Sequence, residues 1–190
     1  MSRQNANRRT RYTARYTALG IFLMGLVVAT GAGLVWPSAP AWAQAAPQKI
    51  GTYRDWSAWI YRDGEQKVCF VTSEPKKSLP TDVRRGNIRF NVAHRPHLDI
   101  ENEISMIVGY PFAKDKEAIA AIGGLEIAMQ TEGERAWPRD PRDDNKLVRA
   151  MKGGLNMVVT GRSTRGTKTT DTYSLLGFTA AMNAIDKACP

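Results

Sequence analysis

Histidine and cysteine are the scarcest chemistry-bearing residues in this 190-residue chain, with two of each. A zinc centre needs three or four converging ligands, and two histidines with two cysteines barely reach that number. Nothing reads Cys-x-x-Cys, which argues against thiol exchange. The chain also lacks a Gly-x-Ser-x-Gly elbow, an internal repeat and any low-complexity tract. Acidic residues are outnumbered, 18 against 27 basic ones, for a net charge of +9. Five of those arginines (Arg3, Arg8, Arg9, Arg11, Arg15) stand in the first fifteen residues, where no acidic residue occurs.

That arginine-rich start precedes an apolar run from Ala18 to Trp36, broken by Pro37. Ala41-Trp42-Ala43 then supplies small residues at the −3 and −1 positions of a signal-peptidase site. Residues 1–43 therefore read as an export signal. The run is close to the ~20 residues that span a bilayer, so a retained inner-membrane anchor is the alternative. Gly20, Gly25, Gly31 and Gly33 dilute the run and favour cleavage. Export to the periplasm or cell surface removes ready access to ATP and NAD, and no cofactor is expected. Without the leader, 22 basic residues face 18 acidic ones. A net +4 favours an anionic surface but falls well short of a nucleic-acid-binding stripe. Residues 44–51 read as a short tether, and 52–190 as a single domain.

Cys69 and Cys189 remain in a chain sent to an oxidising compartment, so a disulfide between them is expected, two buried free thiols being the alternative. Alternation of period two marks strands: Ile88, Phe90, Val92 and His94; Ile104, Met106, Val108 and Tyr110; Leu125, Ile127 and Met129; Leu155, Met157 and Val159. An opening hairpin turns at Asp63-Gly64, and Thr167 to Leu175 suits a strand with one solvated face. Asp140-Pro141 starts a helix that Gly153-Gly154 stops. Phe178, Met182, Ile185 and Cys189 share one face of a C-terminal helix. Many short strands with two short helices give a mainly β protein, a β-sandwich.

Several local patterns together resemble one family. They are Asp55-Trp56, Val68-Cys69, His94-Arg95-Pro96, Gly109-Tyr110-Pro111, Ala136-Trp137, the run Leu147 to Gly153, Arg165-Gly166-Thr167, and Thr170 to Leu175 followed by Gly177 to Ala180. On these the chain resembles the invasion-associated locus B family of Gram-negative bacteria from about Tyr53 to Cys189. The resemblance implies an exported, single-domain, immunoglobulin-like β-sandwich, linked to host-cell invasion in some pathogens. It carries over no catalytic residue. Many family members hold further cysteines, and this chain has two.

Candidate sites follow from residue type. His94 and His97 form His-x-x-His, a weak metal pair; a hydrogen-bonded core histidine and a loop histidine fit the pattern better. Gly161 to Thr169 glances at a phosphate loop, but Thr167 stands where the motif needs lysine, and a strand follows. Ser163 has no histidine in convincing reach, and Asp140, Asp143 and Asp144 are explained as helix-start residues. Trp56, Trp59 and Trp137 suit packing. Lys76, Lys77, Arg84, Arg85, Arg89, Arg95, Arg162, Arg165 and Lys168 stand out as a basic set, for which a scattered, solvated arrangement is the alternative to a common surface. Arg84, Arg85, Arg162, Arg165 and Lys168 concentrate in turns and would form a basic rim at one end of the sandwich. The expectation is a non-enzymatic protein binding an envelope or host-surface component through that rim. The alternative is a periplasmic hydrolase of envelope polymer.

Overall fold

The computed structural model describes residues 46–190 apart from Glu65. The export signal, and with it the choice between cleavage and anchor, lies outside the described residues. Eleven strands alternate with two helices: β1 (Gln48–Tyr53), β2 (Trp56–Asp63), β3 (Gln66–Ser73), β4 (Lys77–Leu79), β5 (Arg89–Arg95), β6 (Ile100–Ile107), β7 (Ala118–Ile122), β8 (Leu125–Glu132), β9 (Arg135–Pro138), α1 (Pro141–Gly153), β10 (Asn156–Arg162), β11 (Lys168–Ser174) and α2 (Phe178–Ala188). The expected tether is strand from Gln48 onward, because β1 pairs with β2 from Gln48↔Ile60 to Tyr53↔Trp56.

All eleven strands belong to one antiparallel ladder, in the order β1-β2-β3-β5-β6-β9-β8-β7-β10-β11-β4. The ladder narrows to two residue pairs, Met106↔Ala136 and Ile107↔Arg135, between β6 and β9. On either side of that narrow point the sheet turns its apolar faces together, giving the mainly β sandwich that the alternation implies. Phe90 of β5 meets Tyr173 of β11 with ring centroids 5.7 Å apart. Trp56 of β2 donates its indole N–H to Ser174 O, 3.0 Å away, which satisfies a buried donor across the layers. Phe90, Ile104, Met106, Met129, Met157 and Tyr173 are fully buried between them. The alternation overreaches once: Leu155 precedes β10 and is 74% exposed.

Both helices form where the caps place them. Asp140 accepts from Arg142 N–H at 2.9 Å, and Pro141 opens α1. Leu147, Val148 and Met151 are buried. In α2, Phe178 sets its ring 4.8 Å from that of Trp56, and Met182 and Ile185 are fully buried. The Cys69–Cys189 disulfide ties the end of that helix to β3. Gly177, at φ 87°, leads into α2 so close to β1 that a Cβ there would lie 2.0 Å from Tyr53 O. Of the ladder's two edges, β1 carries an irregularity between Lys49 and Gly51, and β4 is three residues long and followed by Pro80.

Candidate functional site

The segment between β4 and β5 and the β10–β11 hairpin come together at one end of the sandwich. Ser163 N–H donates to Thr167 O at 2.9 Å, and Gly166 N–H to Ser163 O at 2.8 Å, which closes the hairpin tip. Phe112 bridges to Ser163, so the Tyr110-Pro111-Phe112 segment backs that tip. Gly86 N–H donates to Gly109 O at 2.8 Å. A Cβ on Gly109 would lie 2.6 Å from Gly86 backbone, so glycine alone permits this crossing. The result is a small cavity of about 50 Å³ lined by Arg84, Arg85, Tyr110, Ser163, Arg165 and Thr169 among others.

Of the five residues expected on the rim, Arg85 leaves it. Its side chain is 6% exposed and forks onto Asp171, with both nitrogen–oxygen distances 2.7 Å. Its Nε and Nη2 also donate to Val108 O, at 3.1 and 2.9 Å, and its guanidinium lies 5.0 Å from the Tyr110 ring centroid. A planar five-donor group suits that buried bidentate role. Arg85 is therefore the structural floor of the cavity, not a solvated contact. Arg84 and Arg165 are exposed and line the same cavity. Arg162 is exposed but folds onto its own turn, donating to Gly166 O at 2.7 Å, and Lys168 is exposed on β11. Among the described residues none of these four is in an ion pair.

Hydroxyls complete the cavity, and residue-type patterns did not single out most of them. Ser163 Oγ accepts from Thr167 N–H at 3.2 Å. The Tyr110 and Thr169 hydroxyls lie 2.5 Å apart. Burial pushes the Tyr110 phenol above its ordinary value, so it stays a neutral hydroxyl. Arginines and hydroxyls around a space this small can hold one anionic group by charge-assisted hydrogen bonds.

The histidines do not form a metal pair. His94 is buried; its Nδ1 accepts from Asn102 N–H at 3.1 Å, which leaves its proton on Nε2, 2.8 Å from Asp186 Oδ1. Both ring nitrogens are committed, so neither offers a lone pair to a cation. His97 is exposed in a short 3-10 turn, Pro96–Leu98. Among the described residues no group of three metal-ligating side chains assembles.

Asp144 does more than start a helix. It reaches from the first turn of α1 to β6, where its Oδ1 accepts from Ile104 N–H at 2.9 Å. The paired residues of β6 and β9 end at Met106↔Ala136, short of Ile104. Beyond that end the carboxyl takes the free N–H. Burial, reinforced by Glu103 and Asp143, raises its pKa to about 6 against the bond to Ile104. A wide groove of about 1090 Å³ opens beside it between β6, β9 and α1.

The model of the Invasion associated locus B (IalB) protein family matches residues 56–186, well over half of the sequence. The chain belongs to that family. The crystal structure of invasion associated protein b from Bartonella henselae is similar in fold to this IalB-family chain, with a TM-score of 0.52 and 16% identity. The match covers 76% of the present chain and 99% of that one. Among curated proteins none matches. No helix among the described residues is long and apolar enough to cross a membrane.

Proposed function

We propose that this IalB-family protein is exported and acts without catalysis, by holding an anionic component of the envelope or of a host surface at the basic end of its sandwich. The observation that carries the reading is the convergence of exposed Arg84 and Arg165 on one hydroxyl-lined cavity, with Arg162 and Lys168 on the same hairpin. The leader pattern of residues 1–43 and the Cys69–Cys189 pairing support an oxidising compartment outside the cytoplasm. A cavity of about 50 Å³ takes a single acidic group, so a larger partner would present one such group to it. The hydrolase alternative has no observation in its favour: His94 has both nitrogens engaged, and Ser163 Oγ serves its own turn.

The test is binding of the purified protein to envelope fractions as salt rises, in wild type and in Arg162→Glu/Arg165→Glu. Binding should weaken with salt, since exposed charges are screened over about 8 Å at physiological ionic strength. The reversed variant should bind less while its stability changes by under about 0.5 kcal/mol. Binding indifferent to both salt and reversal would refute the basic end. Turnover of an envelope polymer, lost in a folded His94→Ala variant, would refute the non-enzymatic reading.

A further inference from the structure

A third cleft, of about 420 Å³, shares no lining residue with the cavity at the basic end; Lys49, Arg54, Trp59, Thr72, Lys76 and Arg89 line it with others, over β2 and β3. Its walls hold two buried polar atoms that have no partner among the described residues, Trp59 Nε1 and Thr72 Oγ1. Thr72 is 8% exposed. The register places Ser57 opposite Thr72 and Trp59 opposite Phe70, so Trp59 and Thr72 are diagonal neighbours on one face of the sheet. The third unpartnered atom, the Tyr173 hydroxyl, is in the core and lines none of the clefts described above. Buried donors are almost always satisfied in folded proteins, so two orphans in one cleft call for an acceptor from outside.

The surrounding charge says what kind of acceptor. Both carboxylates of the cleft are already held: Asp55 by Lys76 at 2.5 Å and Glu74 by Arg89 at 2.8 Å. Lys49 and Arg54 stand without an ion pair among the described residues, and Lys49 Nζ lies 4.9 Å from the centroid of the Trp59 ring. The indole can only donate and the free side chains are cationic, which excludes a cation or a donor-rich ligand. Trp59 itself lies beside Phe70 of the neighbouring strand, with ring centroids 6.5 Å and ring planes 9° apart. A tetrahedral oxyanion has enough acceptor oxygens to meet both orphans and still face Lys49 and Arg54, with the flexible lysine stem moving aside to admit it.

We propose that this cleft binds a phosphate monoester group, with Trp59 Nε1–H and the Thr72 hydroxyl as its neutral donors and Lys49 and Arg54 as its countercharges. The site is separate from the cavity at Arg84 and Arg165. The Trp59 indole proton reports on it directly by heteronuclear NMR of the purified protein, and Trp59→Phe assigns that signal by its loss. Inorganic phosphate at constant ionic strength should move the Trp59 signal saturably, while the Trp56 indole, bonded to Ser174 O, stays in place. Lys49→Ala/Arg54→Ala should lower the affinity about tenfold, and Thr72→Val should lower it as well. Arg84→Glu/Arg165→Glu should leave this titration unchanged, which separates the site from the basic end. Glucose 6-phosphate moving the signal as phosphate does would assign a soluble source. A response to vesicles containing phosphatidic acid at a lower phosphate-group concentration than inorganic phosphate needs would assign a lipid headgroup. No saturable shift, an equal shift with chloride, or full affinity in the Lys49/Arg54 double variant would overturn the proposal.

Discussion

Replacing Asp144 by asparagine should make this protein more stable at neutral pH, although it removes a charge from a helix start. Asparagine keeps an oxygen where Oδ1 accepts from Ile104 N–H, so the bond that ends the β6–β9 ladder survives. What disappears is the cost of a charge in a buried place. The carboxyl titrates at about 6 in the folded chain against an ordinary 3.8. A raised carboxyl pKa means that the native state binds the proton more tightly than the unfolded state. Its contribution is therefore most favourable below about 3.8 and is lost as pH rises through about 6. Two units correspond to about 3 kcal/mol, and partial access to the groove reduces this to about 1.5 kcal/mol. Urea unfolding of wild type and Asp144→Asn from pH 4 to 8 should show the two nearly equal at the acid end, with the variant gaining about 1.5 kcal/mol above pH 7. Asp144→Ala should do worse than asparagine by about 1–3 kcal/mol, because it leaves Ile104 N–H without an acceptor. An asparagine variant that gains nothing between pH 4.5 and 7.5 would refute the reasoning.

Arg85→Ala should cost about 3–5 kcal/mol by thermal or urea unfolding, since it strands Asp171 as a buried unpaired carboxylate; Arg84→Ala, next to it in sequence, should cost under about 0.5 kcal/mol. Gly177→Ala should destabilise by about 2 kcal/mol or more, because its Cβ would collide with Tyr53 O at a φ that alanine avoids. Cys189→Ser should lower stability by up to about 5 kcal/mol, the chain-entropy ceiling for a separation of 120 residues, and non-reducing peptide mapping of wild type should recover the Cys69–Cys189 link.

The elements legible in the sequence are those whose signal is local. The spacing of Phe178, Met182, Ile185 and Cys189 places α2 and its disulfide, and Asp140-Pro141 places the start of α1. Strand β7 carries no such signal: Ala-Ile-Ala-Ala-Ile is apolar without polar alternation. Of β1, Gln48 to Gly51 read as tether because an edge strand has little to bury. Among site residues, Arg84 and Arg85 look identical in sequence. Their fates divide because Asp171, 86 positions beyond Arg85, sits under one of them, a pairing that only the fold creates. The same holds for Asp144, whose partner in β6 is 40 positions away. The unpartnered Trp59 and Thr72 atoms left no trace in residue type, since a missing acceptor is visible only once every neighbour is placed.

An open ladder of eleven strands has two rims of unused backbone hydrogen bonds, and such rims invite neighbouring chains to add strands of their own. Here one rim is broken by the slip between Lys49 and Gly51, and the other is three residues long and shut by Pro80, which offers no N–H. Neither makes a continuous template. A crowded solution of this protein should therefore resist fibril growth by sheet extension, and copies that do associate must recognise each other through side chains.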